Sequence, residues 1–200
     1  QDTAGKVVVR PTHLSICNAD QRYYQGTRSR AVLDRKLPMA LIHEGIGRVV
    51  SDDAGVFRPG DRVVMLPNAP VEQDEFIAEN YLRTSRFCGS GFDGFMQEAM
   101  VLPPERVVLL PEDIDPEVAA FTELVSVATH AISRFDEIAH GRRNRIGVWG
   151  DGNMGYIVSL LLHMGYPDAQ IVVFGRNESK LHDFTFADET HHVDDWSAVE

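Results

Sequence analysis

Ile146-Gly147-Val148-Trp149-Gly150-Asp151-Gly152-Asn153-Met154-Gly155 is an apolar run ending in a glycine loop. Ile146 to Trp149 reads as a buried strand that runs into the glycines, and Met154 to Met164 as the helix that follows. Ile171-Val172-Val173-Phe174 reads as the next strand, parallel to the first. In a strand, loop and helix of this kind Gly150 permits the tight turn, Gly152 lets the backbone approach a pyrophosphate, and Gly155 allows the helix to pack closely on the strand. The phosphate would meet the helix N-terminus, where Asn153 and Met154 stand. A glycine pattern alone can be a tight turn without a ligand. The strand on each side and the helix between favour a dinucleotide site.

The end of the second strand bears on the choice of nucleotide. An NAD site places a carboxylate there, about 20 positions beyond the glycines, to hold the ribose 2′-hydroxyl. Here the strand ends in Phe174-Gly175-Arg176-Asn177, with no carboxylate at Gly175. Arg176, helped by Lys180, could face a 2′-phosphate with its guanidinium fork, which favours NADP(H) over NAD; Glu178 nearby keeps the other reading open. A complete dinucleotide fold needs two βαβαβ halves, and few residues follow Gly155. Gln1 is not an initiator, and Lys6-Val7-Val8-Val9-Arg10 reads as a strand that starts almost at once. The expectation is a piece of a longer protein, truncated at both ends.

Upstream the periodicity changes. From Lys6 to about Leu110 short β-rich runs alternate with turns: Val7–Val9, Leu14–Cys17, Ile46–Val50, Arg62–Leu66, Phe95–Val101 and Val107–Leu109. Pro59-Gly60-Asp61 and Gly91-Phe92-Asp93-Gly94 are turn signals, and the region is expected to be β-barrel-like. The polar, acidic stretch from Pro67 to Phe87 is expected to form an external lobe. From Pro116 the apolar residues take three-and-four spacing, the mark of a helix. The predicted domains are therefore 1–115 and 116–200.

Composition limits what such a chain can do. A net charge of -11 argues against electrostatic binding of nucleic acid. No run of about 18 apolar residues occurs, so no membrane-spanning helix is expected. Cys17 and Cys88, the two cysteines, do not look like a disulfide framework, and the cytoplasm is the expected location. Most of the eight histidines stand alone in the sequence and carry little functional weight. Cys17 and the pair His43-Glu44 are different, because a soft thiolate, an imidazole and a carboxylate suit zinc, and a catalytic zinc keeps one position open. Such donors ahead of a nucleotide loop suggest a zinc-dependent dehydrogenase. Singly, each has a plain reading as a buried thiol, a core imidazole or an ordinary carboxylate.

The segments Ser15-Ile16-Cys17-Asn18-Ala19-Asp20, His43-Glu44-Gly45-Ile46-Gly47-Arg48-Val49, Gly60-Asp61-Arg62-Val63, Gly94-Phe95 and Glu123-Leu124-Val125-Ser126-Val127 resemble, in order, the medium-chain zinc dehydrogenases. Cys17 to Tyr24, Leu37 to Gly45, and Trp149 to Asn153 look most like the ribulose-5-phosphate reductases, also called ribitol-5-phosphate dehydrogenases. The resemblance implies a GroES-like catalytic domain followed by part of a Rossmann domain. It implies NADPH-dependent formation of ribitol 5-phosphate for teichoic acid or capsule precursors. It also implies that Cys17, His43 and Glu123 hold the catalytic zinc, with Glu44 beside it as an exchangeable or outer ligand. Asp20 resembles the acid that bonds the free imidazole nitrogen of the ligand histidine, although an Asp there could also cap a helix. A homo-oligomer is expected, in the simplest case a dimer.

Two positions depart from that family. Where relatives commonly carry a Ser or Thr to relay the substrate proton, this chain has Ala19, which leaves Tyr23, Tyr24, Glu44 or water. Where many relatives carry four cysteines for a structural zinc, this chain has Cys88 alone, so no structural zinc is expected. A sugar phosphate needs cations or donors, and Arg22, Tyr23 and Arg28 are candidates, each equally readable as a surface side chain. Two other readings stay open: a zinc polyol dehydrogenase acting on an unphosphorylated alcohol, and a nucleotide-binding relative without catalysis.

Overall fold

The computed structural model describes residues 2–194. The chain forms two compact units, Gln1–Glu123 and Leu124–Glu200. In the first, β1 (Val7–Ser15) leads into two short helices, α1 (Asn18–Tyr24) and α2 (Arg30–Lys36), followed by β2 (Glu44–Asp52) and β3 (Arg62–Met65). A two-stranded ribbon, β4 (Asn68–Ala69) with β5 (Arg86–Phe87), occupies the stretch expected to be an external lobe. Then come β6 (Met100–Leu102), β7 (Val107–Leu109) and the four-residue helix α3 (Pro116–Ala119). Helix α4 (Thr122–Ile138) begins at the end of this unit and belongs mostly to the second.

The main sheet has the order β6-β1-β2-β3-β7, each pair antiparallel. This corrects the barrel expectation. Among the described residues β6 and β7 are the two edges and do not pair with each other, so the sheet stays open. The edge strands are only three residues each, too short to carry a ladder round. One face packs Val7, Val9, Val63, Met65 and Phe95, all fully buried, into the larger core. Ile46 and Val64 point to the other face, where they meet Leu110 and Ala119. Alternation along β3 thus serves two cores at once, and full burial of each such aliphatic side chain stabilises by about 1.5–3 kcal/mol.

Three local expectations also change. Val7–Ser15 is one strand, not two, because shifts in register at Val8/Val9 and Pro11/His13 absorb Pro11. Phe95 lies outside β6, its N–H donating to the Ile42 carbonyl at 2.7 Å. The helical pattern from Pro116 is two helices; Asp115 caps the first and the Thr122 hydroxyl donates to the Ala119 carbonyl where it stops.

The second unit holds a parallel sheet of order β10-β9-β8, with β8 (Arg145–Trp149), β9 (Gln170–Gly175) and β10 (Glu189–His192). Helix α5 (Asn153–Gly165) connects β8 to β9 and the one-turn α6 (Glu178–Leu181) follows β9. Ile146, Ile171 and Val173 from the sheet meet Leu162, Leu181 and Phe184 in one core. No helix among the described residues is long and apolar enough to cross a membrane.

Candidate metal and nucleotide sites

The end of β1, the start of α1 and the start of β2 bring three donors together. Single ligand atoms of Cys17, His43 and Glu44 all lie within 4.8 Å of one another. His43 is 8% and Glu44 2% exposed, while Cys17 is half-buried. Asp20, also buried, lies one turn into α1 and does two jobs. Its Oδ2 accepts from the Cys17 N–H at 3.0 Å, and its Oδ1 accepts from the Ile42 N–H at 2.9 Å. The same Oδ1 stands 3.7 Å from His43 Nδ1, while His43 Nε2 faces Glu44 at 3.8 Å. Asp20 thus caps the helix, and it faces the imidazole without a hydrogen bond to it.

Ile42 adopts a φ of 73°, which a β-branched residue rarely takes and which costs about 1–3 kcal/mol. It is held there from both sides, its N–H by Asp20 and its carbonyl by Phe95. Gly94 makes this possible, since a Cβ there would lie 2.1 Å from the Ile42 oxygen. The twist delivers His43 toward Cys17. Phe87 of β5 lays its ring 5.2 Å from the imidazole and helps shut out water.

Glu123, at the start of α4, is not one of the three clustered donors. Its carboxyl is nonetheless pushed up to about 7, by burial first and then by the negative charges of Glu44 and Asp20. The Cys17 thiol is also raised, by burial before anything else, against a lowering hydrogen bond from the Ala19 backbone. Two buried carboxylates, a half-buried third, a thiol and an imidazole whose Nδ1 has no hydrogen-bond partner make a pocket short of positive charge. The donor set fits a zinc ion.

Of the substrate candidates, Arg22 is exposed on α1. Tyr23 is buried, with the Arg28 guanidinium 4.6 Å and the Lys36 ammonium 5.9 Å from its ring centre. Lys36 donates to the Ser90 hydroxyl at 2.8 Å. Lys36, Ser90 and Phe87 escape sequence reading because only folding brings their segments together beside α1 and His43, and Ile42 because nothing local signals its positive φ.

The nucleotide loop is built differently. Gly152 is the residue before α5, and Gly155 lies so close to the loop that a Cβ on it would stand 2.0 Å from the Gly150 oxygen. Asp151, Gly152, Asn153, Tyr156 and Lys180 line a cavity of about 500 Å³. The Asp151 carboxylate accepts the N–H groups of Arg176 and Asn177, both at 2.7 Å, and so ties the loop to the end of β9. Lys180 lies on α6, Arg176 just before it, and Met154 in the first turn of α5. The backbone cradle suits a pyrophosphate.

The sequence profile of the alcohol dehydrogenase GroES-like domain matches residues 3–112, more than half of the chain. The chain belongs to that family. Within it, the chain is 59% identical to the ribulose-5-phosphate reductase of Bacillus spizizenii over 190 residues, 95% of this chain and 56% of that protein. It is 52% identical to ribulose-5-phosphate reductase 1 of Staphylococcus aureus over 187 residues, 94% and 55% of the two. A crystal structure of S. aureus TarJ in complex with NADPH superposes with a TM-score of 0.78 at 44% identity, covering 96% of this chain and 53% of that one. The chain spans about half the length of the curated relatives it matches. The resemblance to medium-chain zinc dehydrogenases, and to the reductases among them, is thus borne out.

Proposed function

We propose that the protein is a zinc-dependent oxidoreductase that reduces ribulose 5-phosphate to ribitol 5-phosphate with NADPH. The convergence of Cys17, His43 and Glu44 carries the proposal, because that donor set supplies what a carbonyl reduction by such an enzyme needs. Cys17 and His43 are the fixed donors of the proposed metal centre, and Glu44 and Glu123 the carboxylates that complete it. A zinc ion held by these residues would supply Lewis-acid chemistry at the C2 carbonyl oxygen. The 150–155 loop, with Arg176 and Lys180 for a 2′-phosphate, would hold NADPH, which would supply the hydride.

The chain's own groups do the rest. Asp20 keeps the imidazole oriented, as the outer partners of metal-binding histidines do. The Phe87 ring shields the imidazole side of the corner, where burial makes charge interactions stronger than in water. Hydride reaching C2 leaves a negative oxygen that takes one proton to become the alcohol. Ala19 has none to give, so that proton comes from another group or from water. A cytoplasmic location, in keeping with free Cys17 and Cys88, and assembly as a homo-oligomer belong to the same reading.

The test is NADPH oxidation by the full-length protein with ribulose 5-phosphate, before and after chelation and after zinc is restored. Turnover should vanish with the metal and return with it. A protein indifferent to chelation, or one that prefers free polyols, would overturn the reading.

A further inference from the structure

The chain carries 30 acidic against 19 basic residues, so two cations meeting without a carboxylate are an exception. Arg28 and Lys36 are one such case. Both converge on the ring of Tyr23, and neither has a carboxylate within ion-pair distance among the described residues. Arg28 Nε is buried and has no hydrogen-bond partner. Lys36 Nζ donates to a neutral hydroxyl, that of Ser90, at 2.8 Å. Tyr23 turns its own hydroxyl to Lys36 and Ser90. Burial alone would raise that phenol, yet it is held below its usual value by the hydrogen bonds from Lys36 and Ser90 and by the charges of Lys36 and Arg28. A place that favours a phenolate oxygen favours other oxyanions too.

The same three segments build this cluster and the metal-type corner. Helix α1 carries Cys17 at its N-terminal boundary and Tyr23 in its last turn. Lys36 ends α2, and the chain then runs directly to His43. The turn after β5 carries Ser90, three residues beyond the Phe87 ring beside His43, and its Gly89 abuts the Ile42 backbone so closely that a Cβ would lie 3.3 Å away. The two clusters are thus built on neighbouring stretches of the same segments.

We propose that Arg28, Lys36, Ser90 and Tyr23 form the receptor for the substrate's phosphate group, four donors arranged beside the donors that would face its carbonyl. The proposal rests on the protein being a sugar-phosphate reductase. Of the basic residues singled out in the sequence, Arg28 belongs to the receptor and Arg22 does not.

The experiment uses the full-length, zinc-loaded protein and compares wild type with Lys36→Met, Arg28→Met and the milder Lys36→Gln. The readouts are kcat and KM for ribulose 5-phosphate and for ribulose, the affinity for inorganic phosphate by calorimetry, NADPH affinity and zinc content. Loss of one charge-assisted bond should raise KM for ribulose 5-phosphate about 10- to 100-fold, chiefly without a fall in kcat. The preference for ribulose 5-phosphate over ribulose should collapse by a similar factor, and phosphate should bind correspondingly more weakly. NADPH affinity and zinc content report intact folding, and Lys36→Gln should fall between wild type and Lys36→Met. Variants that keep the wild-type preference and phosphate affinity would overturn the receptor. If wild type reduces no phosphorylated ketose, the functional reading fails separately. Phosphate binding that Lys36→Met abolishes would then still support the receptor, and binding absent or unaltered would overturn it.

Discussion

The metal-type corner and the glycine loop solve the problem of holding a charged ligand in opposite ways. The corner is made of side chains that are buried at a cost: Asp20 and Glu44 are each 2% exposed, and the backbone at Ile42 is strained to present His43. The loop is made of backbone, and its key feature is the absence of a side chain at Gly155. Burying carboxylates is unfavourable unless a cation or donors answer them, whereas a cradle of N–H groups at a helix start needs only close approach. The two regions should therefore fail differently, the corner when a donor is removed and the loop when a methyl group is added.

The largest effect is expected at the corner. Cys17→Ser should empty the full-length protein of zinc, measured by elemental analysis, and lower turnover on the order of 10³-fold, since metal polarisation of a carbonyl is worth several kcal/mol. NADPH affinity should hold. Asp20→Asn should repeat this in weaker form, lowering zinc affinity about 10- to 100-fold. A Cys17→Ser protein with full zinc content and turnover would break the contrast at its root.

An intermediate effect is expected at the loop. In Gly155→Ala the new methyl would stand 2.0 Å from the Gly150 oxygen, and backbone cannot swing aside as a flexible side chain can. The strain should be about 1–3 kcal/mol, seen as a lower melting temperature and roughly tenfold weaker NADPH binding, with zinc content unaltered. Unchanged NADPH binding would show that close packing at Gly155 does not shape the site.

The same contrast explains what sequence could reveal. The 146–155 stretch declares its strand, loop and helix because the signal is local, and the family was readable because motifs around Cys17, His43 and Gly150 keep their order. That the first sheet stays open was not readable, since pairing of β6 with β1 and of β7 with β3 joins strands far apart in the chain. The site divides likewise. His43 and Glu44 are adjacent, and Asp20 is three residues from Cys17. Lys36 and Ser90 are 54 residues apart, and nothing in their local sequence marks them as partners. Tyr23 and Arg28 could be named, but only the fold separates Arg28 from the exposed Arg22.

Asp151 is the exception within the backbone-built region and gives the smallest prediction. Its carboxylate is held below the usual range by the N–H groups of Asn177 and Arg176, in that order, and Lys180 lowers it further. An unfolded Asp titrates near about 3.9. A carboxylate whose folded value is lower contributes stability that is present above that pH and is lost as pH falls through the folded value. Asp151→Asn keeps a neutral acceptor but removes the charge. The melting temperature of wild type should therefore exceed that of Asp151→Asn at pH 7 and at pH 5, by less than the loss in Gly155→Ala, and the gap should close as pH drops below about 4. A gap that does not change with pH would mean that shape, not charge, ties the loop to β9, and the loop would then be backbone-built throughout.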